Sequence, residues 1–201
     1  MIRKAEIKRK TLETDIALKL ILDSTEKFEI NSGVPFLDHM LYSMSKHGLF
    51  SLELLCKGDI TVDDHHSVED IGICLGKAFK KALGDLSGVT RFGDATVPMD
   101  DSMAKSAIDI SGRPYFKYTG PELKGYIGNY NEELTAEFLK SFASNADINL
   151  HVCVLYGENK HHIHEAIFKA LALSLYKASA IDTFLKSGIQ STKGSLYDNG
   201  D

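Results

Sequence analysis

The most constraining feature of the sequence is a repeated pattern of potential metal ligands. His65-His66-Ser67-Val68-Glu69 and His161-His162-Ile163-His164-Glu165 lie 96 residues apart. Each opens a stretch in which apolar residues recur three and four positions apart, which predicts an amphipathic helix. Two apolar stripes can easily match by chance. It is unlikely that the stripe, the histidine pair and the acid would all match by chance in the same register. The chain is therefore predicted to contain two copies of one ancestral unit.

A second pair of segments supports the duplication. Residues 36–44 resemble residues 134–142 at an offset of 98, and both have the periodicity of amphipathic helices. Candidate strands follow them at 49–55 and 148–155, and others are expected at 2–10, 15–23, 93–97, 103–110 and 115–118. Gly120-Pro121 and Lys124-Gly125 indicate turns. We expect two α/β half-domains, residues 1–88 and 89–194, followed by a flexible polar tail at 195–201.

The bulk composition limits the class of protein. Hydrophobic residues make up 43% of the chain and charged residues 25%, so a sizeable core is expected. The net charge of −5 and the absence of a basic patch speak against a nucleic-acid partner. The apolar runs are too short to span a membrane, and the first residues do not form a signal core. Cys56, Cys74 and Cys153 lie in apolar contexts and are expected to be reduced, as in a cytoplasmic protein.

The repeated pattern predicts a two-metal site. Within each copy the first histidine and the glutamate are four positions apart, on one helix face, so the two side chains can bind the same ion. The second histidine, His66 or His162, points roughly 100° away and is expected to serve a different ion. Ligands of this kind without thiolates favour catalytic manganese, iron, cobalt or zinc. Asp63 and Asp64 are expected to cap the first helix, with contacts to ligand imidazoles as a further role.

The second repeat adds two more candidate ligands, because it aligns His39 with Glu137. Four aligned pairs then give eight ligands, which a pseudo-twofold arrangement divides between two ions. One ion is expected to take His65, Glu69, Glu137 and His162. The other is expected to take His39, His66, His161 and Glu165.

Other residues are candidates for binding a phosphate or moving a proton. Arginine binds phosphate through two parallel hydrogen bonds, and Arg91 and Arg113 flank the first strands of the second half. Further substrate contacts are expected from His47 and Lys169 and from the hydroxyl and ammonium groups of Ser191, Thr192 and Lys193. Glu13, between the first two strands, can act as an acid or base. Taken singly, each of these residues is more often an ordinary surface group.

These segments together resemble the imidazoleglycerol-phosphate dehydratase family. The resemblance covers nearly the whole chain, in order and at family-like spacing. Its motifs are Arg9-x-Thr11-x-Glu13-Thr14 and residues 33–41, 63–70, 91–93, 97–100, 109–115, 159–162 and 191–194. One departure stands out, since Glu137 occupies a position where many relatives carry histidine. A carboxylate still ligates manganese, so we expect a retained site with altered local charge.

The resemblance implies a fold and an activity. The implied fold is α+β with two layers, in which each half is a mixed β-sheet with two helices on one face, similar to domain 2 of ribosomal protein S5. The implied reaction is the dehydration of D-erythro-imidazoleglycerol phosphate to imidazoleacetol phosphate in histidine biosynthesis, with two Mn²⁺ ions per active site. Glu13 resembles the acid–base residue, and Asp100 is a weaker second candidate. The family assembles 24 subunits, with metals between protomers.

Two other classes of function also fit the ligand pattern. A dinuclear hydrolase would activate water with ions about 3.5–4 Å apart, whereas a dehydratase that holds an imidazole ring between its metals needs a wider gap. A metal-storage or metal-assembled scaffold protein is the non-catalytic alternative. A four-helix di-iron bundle is disfavoured because residues 2–10 and 15–23 have the alternation of strands.

Overall fold

The computed structural model of the chain describes residues 2–185, 188, 190 and 191. Its strands are β1 Lys4–Lys10, β2 Thr14–Ile21, β3 Phe28–Asn31, β4 Ser51–Gly58, β5 Phe92–Met99, β6 Ser102–Asp109, β7 Tyr115–Thr119, β8 Tyr126–Ile127, β9 Tyr130–Asn131 and β10 Asn149–Tyr156. Its helices are α1 Pro35–Gly48, α2 His65–Leu83, α3 Glu133–Ala146 and α4 Lys160–Ser179, followed by a 3-10 turn at Thr183–Leu185.

Two four-stranded sheets share one topology. The first has the order β1-β2-β4-β3 and the second the order β5-β6-β10-β7. In each sheet three strands are antiparallel and the fourth, β3 or β7, lies parallel to its neighbour at the edge. A helix connects each parallel pair, as such a crossover requires. The predicted fold of duplicated, mixed sheets with helices is confirmed.

The helices lie between the sheets and pack on each other across the two halves. Helix α2 packs on β1 and β2, whereas α4 packs on β5 and β6. Between the halves, α2 packs against α3 and α1 against α4. The buried apolar residues of both halves form one continuous cluster. The N-termini of α2 and α4, which carry the histidine pairs, are thereby held in equivalent surroundings.

Two glycines allow α2 to approach α3 closely. A Cβ atom on Gly72 would lie 2.8 Å from the carbonyl oxygen of Phe138, and one on Gly76 would lie 2.5 Å from that of Phe142. These obstacles are backbone atoms, so no side-chain rotation relieves them. The spacing of four residues puts both glycines on the same face of α2. The contact between the two halves therefore depends on the absence of side chains at these positions.

Several element boundaries differ from the prediction. The strands expected from 49 and 148 begin at Ser51 and Asn149, because Leu49 and Asp147 adopt left-handed conformations that end α1 and α3. That conformation is usual for glycine at a helix end, and neither residue is glycine. Helices α1 and α3 therefore end in the same way, so the repeat includes their C-terminal caps.

Three short strands were not predicted. Strand β3 has only four residues, two half-buried and two exposed, which is too short a stretch to recognise in the sequence, and it is defined by its pairing with β4. Strands β8 and β9 form a small hairpin that is inserted before α3 and has no counterpart in the first half. The predicted turns at Gly120-Pro121 and Lys124-Gly125 are bends that lead into this hairpin.

The expected caps of α2 are only partly correct. The carboxylate of Asp63 accepts the backbone N–H of His65 at 2.8 Å, as predicted, but Asp64 makes no cap hydrogen bond with its side chain. Asp64 has helical backbone angles, which turn its side chain away from the free N–H groups.

The predicted division of the chain near residue 88 stays a prediction, and the tail at 195–201 lies outside the described residues. None of the helices in residues 2–185 combines the length and the apolar character needed to cross a membrane.

We expect Gly76→Ala to destabilise the protein. Alanine favours a helix over glycine by about 1 kcal/mol, but overpacking against a backbone costs about 1–3 kcal/mol. The expected net loss is about 1–2 kcal/mol, measured as a shift in the midpoint of chemical unfolding at fixed protein concentration. Lys77→Ala, on the exposed side of the same helix, is the control and should change the midpoint little. A Gly76→Ala protein as stable as the parent would contradict the close approach of α2 and α3.

Candidate active site

One group of three potential metal ligands comes together where α1 packs on α4. His39, His161 and Glu165 offer ligand atoms that all lie within 4.8 Å of one another. The Glu165 carboxylate lies 3.4 Å from Nε2 of His161 and 3.9 Å from Nε2 of His39. Each of these two histidines comes from a different half of the chain. We call this group the α1/α4 half-site, because it has three of the four ligands predicted for one ion.

An equivalent group lies where α2 packs on α3. Nε2 of His65 is 3.9 Å from the carboxylate of Glu69, one helical turn away. His65 and Glu137 line the same open hollow of about 500 Å³. We call His65, Glu69 and Glu137 the α2/α3 half-site. It is more open than its counterpart, because its three side chains do not meet within the distance that unites the first group.

The second histidine of each pair points away from its half-site, as predicted. Nδ1 of His66 lies 3.1 Å from both carboxylate oxygens of Asp59, and Nδ1 of His162 contacts a carboxylate oxygen of Asp101. These contacts raise the pKa of each imidazole, through the hydrogen bond first. A carboxylate on Nδ1 holds the ring in place and leaves Nε2 as the ring atom available to a ligand.

The two predicted acid–base residues face these second histidines. The Glu13 carboxylate lies 3.7 Å from Nε2 of His66, and the Asp100 carboxylate lies 3.5 Å from Nε2 of His162. Glu13 is on the β1–β2 connection and Asp100 on the β5–β6 connection, which are equivalent positions in the two sheets. Both carboxylates are therefore placed beside a predicted ligand and remain accessible.

Asp59 and Asp101 are functional candidates that the sequence did not reveal. Asp101 also accepts the backbone N–H groups of Glu158 and Asn159, at 2.7 and 2.8 Å. The backbone hydrogen bond from Asn159 and the hydrogen bond with His162 hold the pKa of Asp101 far below its usual range. Asp101 follows a motif residue directly, but nothing in the local pattern connects it to a histidine 61 positions away.

Two predicted substrate contacts lie beside the α1/α4 half-site. Lys169 makes an ion pair with Glu165 at 2.7 Å. Burial would raise the pKa of Glu165, but the hydrogen bond and charge of Lys169, with the nearby histidines, lower it overall. Partial burial, together with the charge of Lys169, lowers the pKa of His47 in the last turn of α1. His47 and Lys169 thus belong to the surroundings of Glu165.

Arg91, a predicted phosphate-binding residue, lies at the opposite end of the molecule from the histidine pair of α4. Arg91 forms a two-pronged ion pair with Asp109, at 2.6 and 3.1 Å, and also donates to the carbonyl oxygen of Gln190. Arg113 is exposed and donates weakly to the carbonyl oxygen of Ser111, at 3.4 Å. Ser191 is half-buried, while Thr192 and Lys193 lie outside the described residues.

The distance between Arg91 and the histidine pair of α4 follows from two independent lengths. Strand β6 runs from Ser102, next to Asp101, to Asp109, next to Arg91, a span of about 24 Å at the usual rise of a strand. The backbone N–H of Arg91 donates to Ala178, sixteen residues beyond His162 on α4, which is also about 24 Å at the helical rise. Within one chain, Arg91 and the histidine pair of α4 therefore cannot contact one small substrate.

The remaining histidines of the second half have other surroundings. His164 is fully buried, 3.1 Å from the hydroxyl of Thr135 and 3.3 Å from the carboxylate of Glu132, and burial lowers its pKa. His151 lies on the outer face of the second sheet beside the ring of Tyr115. The ring of Phe36 contacts both His164 and the half-site residue His161, but neither His151 nor His164 belongs to the group of three ligands, which agrees with leaving both out of the predicted eight.

Comparison with known proteins assigns this arrangement to a family. The family model described as imidazoleglycerol-phosphate dehydratase matches residues 32–175. The chain belongs to the imidazoleglycerol-phosphate dehydratase family. It is thus a member of a family of dehydratases, which are hydro-lyases, in histidine biosynthesis.

Similar proteins span nearly the full chain. The imidazoleglycerol-phosphate dehydratase of Leptospira biflexa is 52% identical over 196 residues, 98% of this chain and 100% of that protein. The enzyme of a Geobacillus species is 50% identical over the same shares. Solved structures from Staphylococcus aureus and Pyrococcus furiosus superpose with TM-scores of 0.81 and 0.82 at 34% and 35% identity. They match 89% and 94% of this chain and 99% and 100% of theirs.

The first motif of the family resemblance forms a network that supports Glu13. Arg9 makes an ion pair with the buried Asp70 of α2, and the hydroxyl of Thr14 donates to the same carboxylate at 2.5 Å. The hydroxyl of Thr11 accepts the backbone N–H groups of Glu13 and Thr14, at 3.1 and 3.0 Å. The conformation of the connection that carries Glu13 is therefore coupled to α2 through Asp70.

We expect Asp70→Asn to destabilise the chain by about 2 kcal/mol, because a buried hydrogen bond to a charged group is lost. The measurement is the midpoint of chemical unfolding. Asp15→Asn is the matched control, since Lys10 and Asp15 form a cross-strand pair on the same hairpin with both side chains at least half exposed. Solvent screens such a pair, so its loss should change the midpoint little. Equal effects of the two changes would contradict a supporting role for Asp70.

Proposed function

We propose that the chain catalyses the Mn²⁺-dependent dehydration of D-erythro-imidazoleglycerol phosphate to imidazoleacetol phosphate. The observation that carries the proposal is the pair of half-sites at the starts of α2 and α4. Each presents ligand atoms toward one ion and turns its second histidine toward another. Family membership supplies the reaction class, and this duplicated arrangement supplies a place for two ions.

The residues present fit manganese or a similar divalent ion. Imidazole and carboxylate groups suit Mn²⁺, and other divalent transition metals also accept them. In five of the histidines the Nε2 atom faces a carboxylate, so the ligand atoms are already directed at positions that favour positive charge. These histidines are His39, His65, His66, His161 and His162. When bound, two Mn²⁺ ions would supply Lewis-acid polarisation of the substrate's imidazole ring.

We propose that each complete site is shared between protomers. The α1/α4 half-site lacks a fourth ligand, and His66 of the same chain faces Glu13 and Asp59 instead. Supplying His66 from one protomer to the half-site of another completes the set of four. His162 completes the α2/α3 half-site in the same way. Such sharing requires more than one protomer, and the expected number of 24 subunits follows from the family resemblance.

Phosphate binding also needs a second protomer. The phosphate would be held by Arg91, Arg113, Ser191, Thr192 and Lys193. Of these, Arg91 lies about 24 Å from the histidine pair of α4. Another protomer must therefore bring this end to the metals. Asp109 orients the Arg91 guanidinium, so that the phosphate binds a group whose position is already fixed.

Glu13 is the proposed acid–base residue. Its carboxylate is accessible, stands beside a proposed ligand and is held by the Thr11 and Asp70 network. A carboxylate oxygen would take the C–H proton from the side chain of the substrate as the C–O bond of the neighbouring carbon breaks, and the departing hydroxide would leave as water with the proton that the enol gives up. The carboxyl group would return its own proton to carbon during tautomerisation to the ketone. Asp100, at the equivalent position beside His162, is the second candidate.

The proposed location of this biosynthetic activity is the cytoplasm.

We expect turnover to require manganese. Protein stripped with a chelator should convert no imidazoleglycerol phosphate, and reloading with Mn²⁺ should restore the enol absorbance of imidazoleacetol phosphate. Metal content should rise to two ions per chain in parallel. Phosphate release from the same substrate is the control readout for a dinuclear hydrolase. A fully metallated, assembled protein that forms no imidazoleacetol phosphate would contradict the proposed function.

We expect Glu13→Gln to lower turnover by roughly 100-fold or more while metal content stays unchanged, because the amide cannot accept the proton. Glu26→Gln, an exposed carboxylate on another loop of the same sheet, is the control and should keep full turnover. Near-native turnover of Glu13→Gln would remove Glu13 from this role, and Asp100→Asn would then be measured under the same conditions.

A further inference from the structure

We propose that the two metal sites of this chain are chemically unequal, and that Glu137 makes one of them a carboxylate-rich site with a lower preference for zinc over manganese. The inference rests on the proposed two-metal function and deepens it. It concerns metal selectivity, which can be measured without any turnover.

The ligand atoms of the two half-sites differ. The α1/α4 half-site contributes two imidazoles and one carboxylate, from His39, His161 and Glu165. The α2/α3 half-site contributes one imidazole and two carboxylates, from His65, Glu69 and Glu137. Adding the proposed fourth ligand, one histidine in each case, gives three imidazoles and one carboxylate at the first site. The second site then has two of each.

The groups around the ligands increase this difference. The hollow at the α2/α3 half-site is also lined by Asp63 and Glu133, whereas Asp64 lines both this hollow and the one beside His39. At the α1/α4 half-site, the ammonium group of Lys169 lies 2.7 Å from Glu165 and its side chain is 18% exposed. Lys140 is 3.4 Å from Glu137, but its side chain is 62% exposed, so solvent weakens its effect. The α2/α3 half-site is therefore the more negative of the two.

The charge and hardness of the ligands decide which ion is favoured. Two carboxylates neutralise a divalent ion, whereas one leaves a net positive charge. Carboxylate ligands suit Mn²⁺, and imidazole suits Zn²⁺ more strongly. Zinc binds more tightly than manganese to a given set of such ligands. At a sufficiently high zinc concentration, zinc should therefore replace manganese at both sites. The site with Glu137 should need more zinc than the other.

One residue creates the inequality. Glu137 occupies the position that the repeat aligns with His39, while the other three aligned pairs match histidine with histidine and glutamate with glutamate. Glu137→His should therefore give both sites three imidazoles and one carboxylate. The change is on an accessible face of α3, where a different side chain has room in the hollow.

The experiment is an equilibrium dialysis of the assembled, Mn²⁺-loaded protein against increasing Zn²⁺, with both metals counted by mass spectrometry. The unmodified chain should lose its two manganese ions in two steps, one each. The zinc concentrations at the midpoints of the two steps should differ by about tenfold, which is the order of magnitude by which the surroundings of a metal change its affinity. Glu137→His should lose both ions in a single step at the lower zinc concentration.

Two further variants keep the test decisive. Glu133→Gln removes a carboxylate from the same hollow without removing a proposed ligand, and it should preserve the two steps. Glu137→Gln should hold about one manganese ion per chain and show only the low-zinc step, which decides the matter if Glu137→His does not assemble. Loss of both ions of the unmodified chain in one step would overturn the inequality. Fewer than two manganese ions at the start would instead overturn the proposed two-metal function.

Discussion

Adjacent residues on an α-helix point roughly 100° apart, and this constraint determines how the histidine pairs are used. In α2 the ring of His65 turns toward Glu69, while that of His66 turns toward Glu13 and Asp59. The same holds for the pair of α4, where Asp101 holds the second ring. A single chain thus presents ligands on two sides of each helix, and it cannot close around either proposed ion alone. Helix geometry would therefore couple the proposed assembly to the proposed metal binding.

The packing of helices across the two halves adds a second dependence. Each half-site takes ligands from both copies of the repeat, because α1 packs on α4 and α2 on α3. Neither copy holds three ligands of one ion by itself. Gly76 keeps α2 against α3 and so keeps His65 and Glu137 around one hollow. The two proposed sites are therefore not independent, because each would require both copies of the repeat.

The sequence predicted what depends on local periodicity or on the repeat. The four helices, the seven predicted strands and the opposite directions of the paired histidines follow from spacing along the chain. Strand β3 and the β8–β9 hairpin were missed because their few residues are defined by pairing partners. Asp59 and Asp101 were missed because they reach their histidines through the fold. The motif around Glu13 was visible, but its link to Asp70 joins residues 56 positions apart.

The distance between the two ends of the chain bears on the form of the proposed assembly. An imidazole ring with a short phosphorylated chain cannot extend from the histidine pair of α4 to Arg91, about 24 Å away. A site that takes metals from one protomer and phosphate contacts from another uses two different surfaces of the same chain. Contacts between different surfaces form a ring where the rotation between subunits closes and an open filament where it does not. The expected symmetric assembly would bring the phosphate-binding end of one protomer to the proposed metals of another, whereas an isolated chain would bind the substrate at one end only.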